Sequence, residues 1–332
     1  MKPIGSFTFV LHSHLPYVIS HGRWPHGMDW LDEAAIATYI PLLNVFSDLA
    51  LEGISSKCTV GITPILSEML SSDAFKNGLP VYLKERIRVS RQNVREFQRT
   101  GEPQLKALAR MWEQWYSNRL SDFEERYSRD LLGAFRGLQD SGHIEIITCA
   151  ATHGYLPLLS EDISIQAQIK AGVKTHRRHF GRNPKGIWLP ECAYRPSYAW
   201  VSPLEVKGTP KVRKGVEEFL SENGLEFFIV DSHLLHGGEA VGVYMDRFSA
   251  LRRLWAQFEK EYTPAPVDFQ KSPNDTFLVG DKEGKKPVAI LTRDDQTGLQ
   301  VWSGEHGYPG DGAYLDFHKK YSQGGNRYWR IT

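Results

Sequence analysis

The stretch KGIWLPECAYRP, residues 185–196, decides the interpretation of the fold. Apolar residues and a proline run directly into the carboxylate of Glu191. A nearly continuous apolar run of this length is typical of a strand buried on both faces, as in a parallel sheet covered by helices. Pro190 fixes its own backbone angle and restricts how the chain approaches Glu191. We therefore expect Glu191 to emerge from a buried strand into a pocket.

Runs of the same kind recur along the 332 residues, at 6–12, 57–63, 143–150, 185–190, 225–231, 287–293 and 299–304. Apolar residues at helical spacing fill several of the gaps, at 32–53, 164–181 and 213–224. This alternation predicts an α/β fold with about seven strands. A closed or nearly closed barrel fits better than an open sheet, since no glycine-rich phosphate motif follows the first run.

The predicted barrel is divided by an insertion. Residues 84–136 contain charged side chains at a high density and one apolar face at helical spacing, without a strand-like run. We predict a first barrel part at 1–80, a helical insertion at 81–139 and a second barrel part at 140–332. The second part includes a long loop at about 232–286, rich in glycine, proline and polar residues.

Composition excludes several classes of function. The net charge of +1 gives no basic surface for nucleic acid and no polybasic membrane anchor. No signal peptide is recognised, and no apolar segment is expected to span a bilayer. Cys58, Cys149 and Cys192 are too few and too scattered for a disulfide framework, so we expect free thiols and a cytoplasmic protein.

Polar, titratable or aromatic residues stand at or near the ends of six of the seven runs. They include His12, His14, His153, Glu191, Asp231, Arg293 and Trp302. Parallel barrels place their chemistry at the carboxyl ends of their strands. Such a mouth of hydrogen-bonding groups and indole faces suits a neutral polyhydroxyl substrate.

Two other interpretations of these residues stay open. The less favoured alternative for Glu191 is a structural ion pair, with Arg195 as its cation. His12 and His14 point to the same side of a strand and, together with Asp231, form a conceivable site for a divalent metal ion. No clustered ligand motif supports that site, so we expect no metal and no organic cofactor.

Five segments in order resemble glycoside hydrolase family 57: LHSHLPYV (11–18), TCAATHGYLPLL (148–159), GIWLPECAYRP (186–196), FFIVDSHLL (227–235) and LQVWSGEHGYPGDGAYLDFHKK (299–320). Within that family the segments most resemble the 1,4-α-glucan branching enzymes. The resemblance implies a distorted (β/α)7 barrel with a helical insertion and a C-terminal helical domain. It also implies an α-glucan such as amylose or glycogen as the partner.

The resemblance further implies roles for single residues. Glu191 corresponds to the catalytic nucleophile, and the active-site histidines correspond to His12, His14 and His153. Positions that contact the glucan correspond to Arg293, Trp302 and Gly310. Tyr244 lies in a segment similar to a mobile catalytic loop. Asp231 is expected among the substrate-binding residues.

The chain departs from the family pattern in one respect. The family's acid/base aspartate belongs to a D-x-E-x-x-G-H-W-W motif, which does not occur in these 332 residues. We therefore expect a truncated chain, without the C-terminal helical domain and with weak or no activity. The open alternatives are a family 57 α-amylase or 4-α-glucanotransferase, a non-catalytic glucan-binding protein, and a metal-dependent polysaccharide deacetylase.

Overall fold

The computed structural model describes residues 5–201, 209–236, 253, 256, 271–280, 286–303, 307–308 and 320–326. Tyr244, Gly310 and the side chain of Trp302, which the sequence places at the site, lie outside the described part. The boundaries predicted for the barrel parts and the insertion stay predictions.

A seven-stranded sheet organises the fold, in the order β1-β2-β3-β4-β7-β9-β8. Its strands are β1 (Val10–Ser13), β2 (Cys58–Ile62), β3 (Ile144–Cys149), β4 (Gly186–Trp188), β7 (Phe227–Val230), β8 (Phe277–Val279) and β9 (Val288–Thr292). All neighbours pair in parallel except β8, which runs antiparallel to β9. A separate hairpin consists of β5 (Tyr198–Trp200) and β6 (Lys211–Arg213). The predicted α/β class is confirmed.

The helices alternate with the strands as the apolar spacing predicts. They are α1 (Met28–Ala34), α2 (Ile40–Leu51), α3 (Pro64–Ser71), α4 (Asp73–Arg99), α5 (Pro103–Ser121), α6 (Leu131–Asp140), α7 (Asp162–Phe180), α8 (Val216–Glu222), α9 (His233–His236) and α10 (Asp295–Trp302). Two π-helical turns follow α1 and α5, at Ala35–Tyr39 and Asp122–Arg126. The three helices predicted from spacing are all present within a few residues of their expected bounds.

One strand prediction is wrong. The run 299–304 was expected to form the seventh strand, but most of it belongs to helix α10. Asp294 caps that helix, since its carboxylate accepts a hydrogen bond of 2.8 Å from the backbone N–H of Thr297. The seventh strand of the sheet is instead β8, which lies within the segment expected to be a long loop.

The two faces of the sheet carry different cores because successive strand residues point to opposite sides. On the face toward the helices lie two large apolar clusters. One includes Val60 and Ile146, and the other includes Ile187 and Phe228. The opposite, inner face carries a small cluster. Its buried members are Ile147, Cys149, Trp188, Cys192 and Ile229.

Helices α4 and α5 pack along each other as an antiparallel pair and fill most of the segment predicted to be an insertion. Phe75 of α4 is fully buried and meets Phe123 edge to face, with ring centroids 5.7 Å apart. Gly101 takes a left-handed conformation (φ 75°) in the turn between the two helices. The predicted helical character of this segment is confirmed.

A short segment near the end of the chain, residues 320–326, lies against α4. Arg86 of α4 donates a hydrogen bond of 2.6 Å to the carbonyl of Gly324. Asn326 is buried, and its side-chain amide donates to the hydroxyl of Ser90 at 2.9 Å. Lys320 forms a 3.2 Å ion pair with the buried Glu33 of α1. The segment therefore ties the insertion to the barrel.

One helical run, Met28–Leu51, is long and apolar enough to cross a membrane by length and composition alone, with a mean hydropathy of 1.5. This differs from the expectation that no segment reaches such a length. Leu31 and Ile40 of this run are fully buried in the main apolar cluster, and the carboxyl group of Asp32 is buried with them. Of its most apolar window 33% is buried, so the run contributes one apolar face to the core.

Candidate active site

The predicted site residues come together because they occupy inner-face positions at the carboxyl ends of neighbouring parallel strands. His12 pairs in register with Gly61, and Gly61 pairs with Ile147. A Cβ atom at Gly61 would lie 3.0 Å from Nδ1 of His12, so glycine at this position leaves room for the imidazole. Alternation along the strands places Cys149 on the same face as Ile147.

Three histidines and a tryptophan form a continuous stack at this mouth. The ring of His12 lies 4.8 Å from the ring of Trp188, nearly parallel to it, and 5.5 Å from the ring of His153. His14 stacks on the other side of His153 at 3.8 Å. Nε2 of His12 and Nε2 of His153 are 3.3 Å apart. Nδ1 of His14 is 3.3 Å from the hydroxyl of Thr63, which fixes that ring.

The histidines in this stack are held neutral. Burial, together with the neighbouring His153 and His14, lowers the pKa of His12 to about 3. Burial and His153 lower the pKa of His14 to about 4. Burial also lowers the pKa of His153, although Glu191 opposes that shift. At neutral pH the mouth therefore presents uncharged imidazoles, which both donate and accept hydrogen bonds, as sugar hydroxyls require.

Glu191 projects from a strained turn at the end of β4. The residues Pro190–Cys192 form one 3-10 turn, closed by a 2.8 Å hydrogen bond from the N–H of Cys192 to the carbonyl of Leu189. Glu191 and Cys192 both have left-handed backbone conformations, with φ 57° and 54°. The Glu191 side chain is 71% exposed, and its Oε1 lies 3.8 Å from Nδ1 of His153. The carboxylate is thus available to a ligand in the mouth.

The other end of the mouth is formed by β7 and β9. Nε of Arg293 donates to Oδ1 of Asp231 at 2.9 Å. Burial and the charge of Asp231 raise the pKa of the Cys192 thiol to about 12, which Arg293 opposes. Cys192 is therefore a buried thiol beside this ion pair. Because its thiolate is disfavoured, a nucleophilic role for it is not supported.

The geometry separates the alternatives left open by the sequence. Arg195 does not contact Glu191; its guanidinium lies 3.6 Å from Asp162 and donates to the carbonyl of Lys214 at 2.6 Å. Within the described ranges, one group of metal-type donors occurs, and it consists of His12, Cys149 and His153. It lacks His14 and Asp231, the ligands that a deacetylase-type site was expected to use.

The structure brings His12, His14, His153 and Glu191 together, with Asp231 and Arg293 forming their own pair nearby. Their individual roles stay predictions. Sequence reasoning missed Trp188, Thr63 and Cys149 as components of the mouth. The alternation of side chains along a strand would have identified them, since each occupies an inner-face position at or next to a strand end.

The chain is similar to several known proteins. The chain is 41% identical over 329 residues to a 1,4-α-glucan branching enzyme of Thermococcus kodakarensis, covering 99% of this chain and 44% of that enzyme. The crystal structure of a GH57-type branching enzyme from Pyrococcus horikoshii aligns with 98% of this chain and 53% of its own, at 36% identity and a TM-score of 0.77. The α-amylase AmyC from Thermotoga maritima aligns with 95% of this chain and 51% of its own, at 28% identity and a TM-score of 0.68.

The chain therefore spans about half the length of these relatives. Their likeness confirms the barrel-like family fold that the sequence motifs imply. A family model described as glycosyl hydrolase family 57 matches residues 8–323. Since this match covers nearly the whole sequence and the solved relatives share the fold, the chain belongs to glycoside hydrolase family 57.

Proposed function

We propose that this chain carries the nucleophile and part of the glucan-binding mouth of a 1,4-α-glucan branching enzyme. The observation that carries the proposal is the exposed carboxylate of Glu191, 3.8 Å from the neutral His153 at the mouth of the sheet. The names of the Thermococcus kodakarensis and Pyrococcus horikoshii relatives support branching as the reaction. The product would be a glycogen-type α-glucan with α-1,6 branches.

The proposed reaction is a double displacement. Glu191 attacks the anomeric carbon of an α-1,4-glucan, the bond to the leaving chain breaks, and the leaving oxygen takes a proton from a general acid. A glycosyl ester on Glu191 results. The 6-hydroxyl of a second glucan then attacks the same carbon, its proton returns to the general base, and the ester bond to Glu191 breaks.

The neutral histidine stack supports binding and orientation of the sugar. His12, His14 and His153 carry no charge at neutral pH, so they exchange hydrogen bonds with hydroxyl groups without the cost of burying an ion. His153 also lies close enough to Glu191 to hold the carboxylate in position once a ligand excludes water. Trp188, underneath His12, keeps that ring from turning away.

The proposed reaction also requires a general acid that gives a proton to the leaving chain. A retaining glycosidase needs a second carboxyl group about 5–5.5 Å from the nucleophile. In the described part of the mouth, Asp231 is the nearest candidate by position in the sheet, and it is engaged by Arg293 at 2.9 Å. We propose that the acid comes from outside the described residues. We expect slow turnover of amylose by these residues alone, because general acid catalysis is worth about 10²–10⁴ in rate.

The test should not depend on the acid. A 5-fluoro-α-glucosyl fluoride releases fluoride ion, a leaving group that needs no proton, so the reagent labels a competent nucleophile. The fluorine at carbon 5 also slows hydrolysis of the resulting glycosyl ester. Mass spectrometry of the 332-residue chain should find one glycosyl group, on the peptide that contains Glu191. Glu191→Gln should abolish the labelling. Glu145→Gln is the matched control, because Glu145 lies near the other end of β3. Labelling at another residue would overturn the proposal.

A second candidate, α-amylase activity, is favoured by the alignment with AmyC. It would use the same Glu191 ester, with water in place of the 6-hydroxyl. Assays with the longest available form of the protein should distinguish the two. Debranching of the products releases new short chains only if α-1,6 bonds have formed, whereas hydrolysis raises the number of reducing ends before debranching.

The location that we propose is the cytoplasm. Cys58, Cys149 and Cys192 are all free thiols, as is usual in a reducing compartment. Fractionation of the native cells, followed by detection of the protein, tests this proposal.

A further inference from the structure

The inner face of the mouth contains a thiol, that of Cys149, which the proposed glycosyl transfer does not use. Cys149 ends β3 and is fully buried. The donor atoms of His12, Cys149 and His153 all lie within 4.8 Å of one another. Two imidazoles and a thiol in one place are a donor set for a soft or borderline divalent cation, whereas Mg²⁺ and Ca²⁺ prefer oxygen ligands.

The spacing of the two imidazoles fits a tetrahedral ion. Nε2 of His12 and Nε2 of His153 are 3.3 Å apart. With Zn–N bonds of about 2.0–2.1 Å, the edge between two nitrogens in a zinc tetrahedron is about 3.3–3.4 Å. The two nitrogens are therefore already at the coordinating distance. The edge from sulfur to nitrogen is about 3.6 Å for a Zn–S bond of about 2.3 Å, so the thiol, which lies within 4.8 Å of the histidine donors, has to approach by at most about 1.2 Å.

The state of the side chains also suits coordination. A metal-binding imidazole coordinates through the ring nitrogen that carries no hydrogen. Nε2 of His12 and Nε2 of His153 contact each other at 3.3 Å, so binding of an ion replaces that contact with two nitrogen–metal bonds, while Nδ1 of His12 stays buried without a hydrogen-bond partner in the described part of the chain. Glu191 Oε1, 3.8 Å from Nδ1 of His153, lies next to the same site and is largely exposed.

From this arrangement we propose that His12, Cys149 and His153 form a binding site for Zn²⁺, and that the bound ion inhibits the enzyme. Binding forms two nitrogen–zinc bonds and one sulfur–zinc bond, and the thiol proton of Cys149 passes to solvent. In a structural zinc site four protein ligands fill all coordination positions, whereas three protein ligands leave one position open to Glu191 or water. An ion there would occupy the space between the histidines and draw the carboxylate away from a sugar.

Binding is tested on the full chain, stripped with a chelator and then titrated with Zn²⁺ alone against a chromophoric chelator. We expect one ion per chain. Co²⁺ in place of Zn²⁺ should give the near-ultraviolet thiolate-to-cobalt band that reports a Co–S bond. Cys149→Ala should lose the band and bind Zn²⁺ at least about 100-fold more weakly, since even indirect changes around a metal cost about 10- to 100-fold.

The controls separate this site from other thiols and from misfolding. Cys58→Ser is the matched variant, because Cys58 lies half-buried at the other end of β2. It should bind both ions as the parent does. His153→Gln should weaken binding and keep the band. If Cys149→Ala fails to fold, the band of the parent and the weaker binding of His153→Gln decide the question. Failure of the parent to bind Zn²⁺ stoichiometrically, or unchanged binding by Cys149→Ala, overturns the proposal.

The inhibitory consequence rests on the proposed function and is tested separately. Stoichiometric Zn²⁺ should slow labelling of Glu191 by the fluoride reagent at least tenfold, and excess chelator should restore it. Unchanged labelling in the presence of bound Zn²⁺ would refute inhibition. If no labelling occurs even without Zn²⁺, the proposed function fails while the binding result stands by itself.

Discussion

The mouth of the sheet and the α4–α5 helix pair place different types of residue in the left-handed backbone conformation. In the helix pair, the left-handed position of the turn belongs to Gly101, which has no Cβ and adopts it without strain. At the mouth, left-handed positions belong to His153, Glu191 and Cys192. Non-glycine residues in this region cost about 1–2 kcal/mol each. The mouth therefore carries this cost at three positions and the turn between α4 and α5 avoids it, although Ser128 and Arg129, after the π-helical turn that follows α5, carry it as well.

The largest expected effect is the loss of the carboxylate at the mouth. Glu191→Gln keeps the shape of the side chain but removes the nucleophile, so labelling by the fluoride reagent should fall by at least about 10³-fold. The free energy of unfolding should change little, since the side chain is 71% exposed. Labelling is followed by mass spectrometry and unfolding by urea titration. A variant that labels within tenfold of the parent would contradict the role of Glu191.

The corresponding change in the helix pair should affect stability only. Phe75→Ala removes a fully buried ring that meets Phe123 and should lower the free energy of unfolding by about 3–5 kcal/mol. The labelling rate per folded molecule should stay the same. Urea titration with labelling at low temperature separates the two quantities. A large fall in the labelling rate of the folded fraction would show that the two regions are coupled.

A buried histidine outside the mouth tests whether neutral histidines are a property of the site alone. His176 of α7 is buried, and neither of its ring nitrogens has a hydrogen-bond partner among the described residues. Burial lowers its pKa from 6.5 to about 3, and the nearby Arg182 and His179 add to the shift. Between these two values the unfolded chain binds the extra proton, so stability is full above pH 6.5 and falls as the pH decreases toward 3.

His176→Leu should remove that part of the acid sensitivity. The difference in unfolding free energy between the variant and the parent should grow by about 3 kcal/mol from pH 7 to pH 4, in favour of the variant. Urea titrations at both pH values measure it, and the histidines of the mouth cancel because both proteins carry them. A constant difference across this range would mean that His176 is protonated, or solvated, in the folded state.

The cost of a left-handed residue is measurable where no function interferes. A Cβ at Gly101 would meet no atom within 4 Å, so Gly101→Ala adds backbone strain without a clash. We expect a loss of about 1–2 kcal/mol in unfolding free energy. Gly137→Ala is the control, because Gly137 lies within helix α6, and its Cβ would also meet no atom within 4 Å. It should stabilise the protein slightly. Equal effects of the two changes would contradict the strain argument.

The smallest effect is expected on the surface of the helix pair. Nε of Arg91 of α4 lies 2.7 Å from a carboxylate oxygen of Glu113 of α5, and the two side chains are 59% and 30% exposed. Exposed ion pairs contribute about 0–1 kcal/mol, so Arg91→Ala should change the unfolding free energy by less than about 0.5 kcal/mol. Repeating the urea titration at high salt should leave parent and variant indistinguishable. A loss above 1 kcal/mol would show that the pair has a packing role.

The buried strands were predictable because apolar runs of that length leave few alternatives. Five strands, β2, β3, β4, β7 and β9, fall within the predicted runs, and β1 ends one residue beyond its run, at Ser13. The run 299–304 failed because its β-branched and aromatic residues suggest a strand, whereas the cap at Asp294 and Thr297 starts a helix before it. Local capping therefore outweighed intrinsic preference. The strand β8 has strand-favouring residues, Phe277 to Val279, but three residues are too short a run to predict a strand, and its pairing with β9 defines it.

The part of the site that could be predicted consists of residues at the ends of the predicted strands. His12, His14 and Glu191 were found in this way, and alternation would also have found Cys149. The left-handed conformations of His153, Glu191 and Cys192 were beyond a sequence argument. No local preference of histidine, glutamate or cysteine requires them, and only the surrounding packing imposes them.

The segment 320–326 has a consequence for the order in which the protein folds. Its contact between Asn326 and Ser90 joins residues 236 positions apart. Closing so long a loop is entropically costly and gains nothing until α4 exists as a surface for the segment. We therefore expect this segment to dock after the insertion helices have formed. Its backbone amides should gain protection from hydrogen exchange last during refolding and lose it first in native-state exchange.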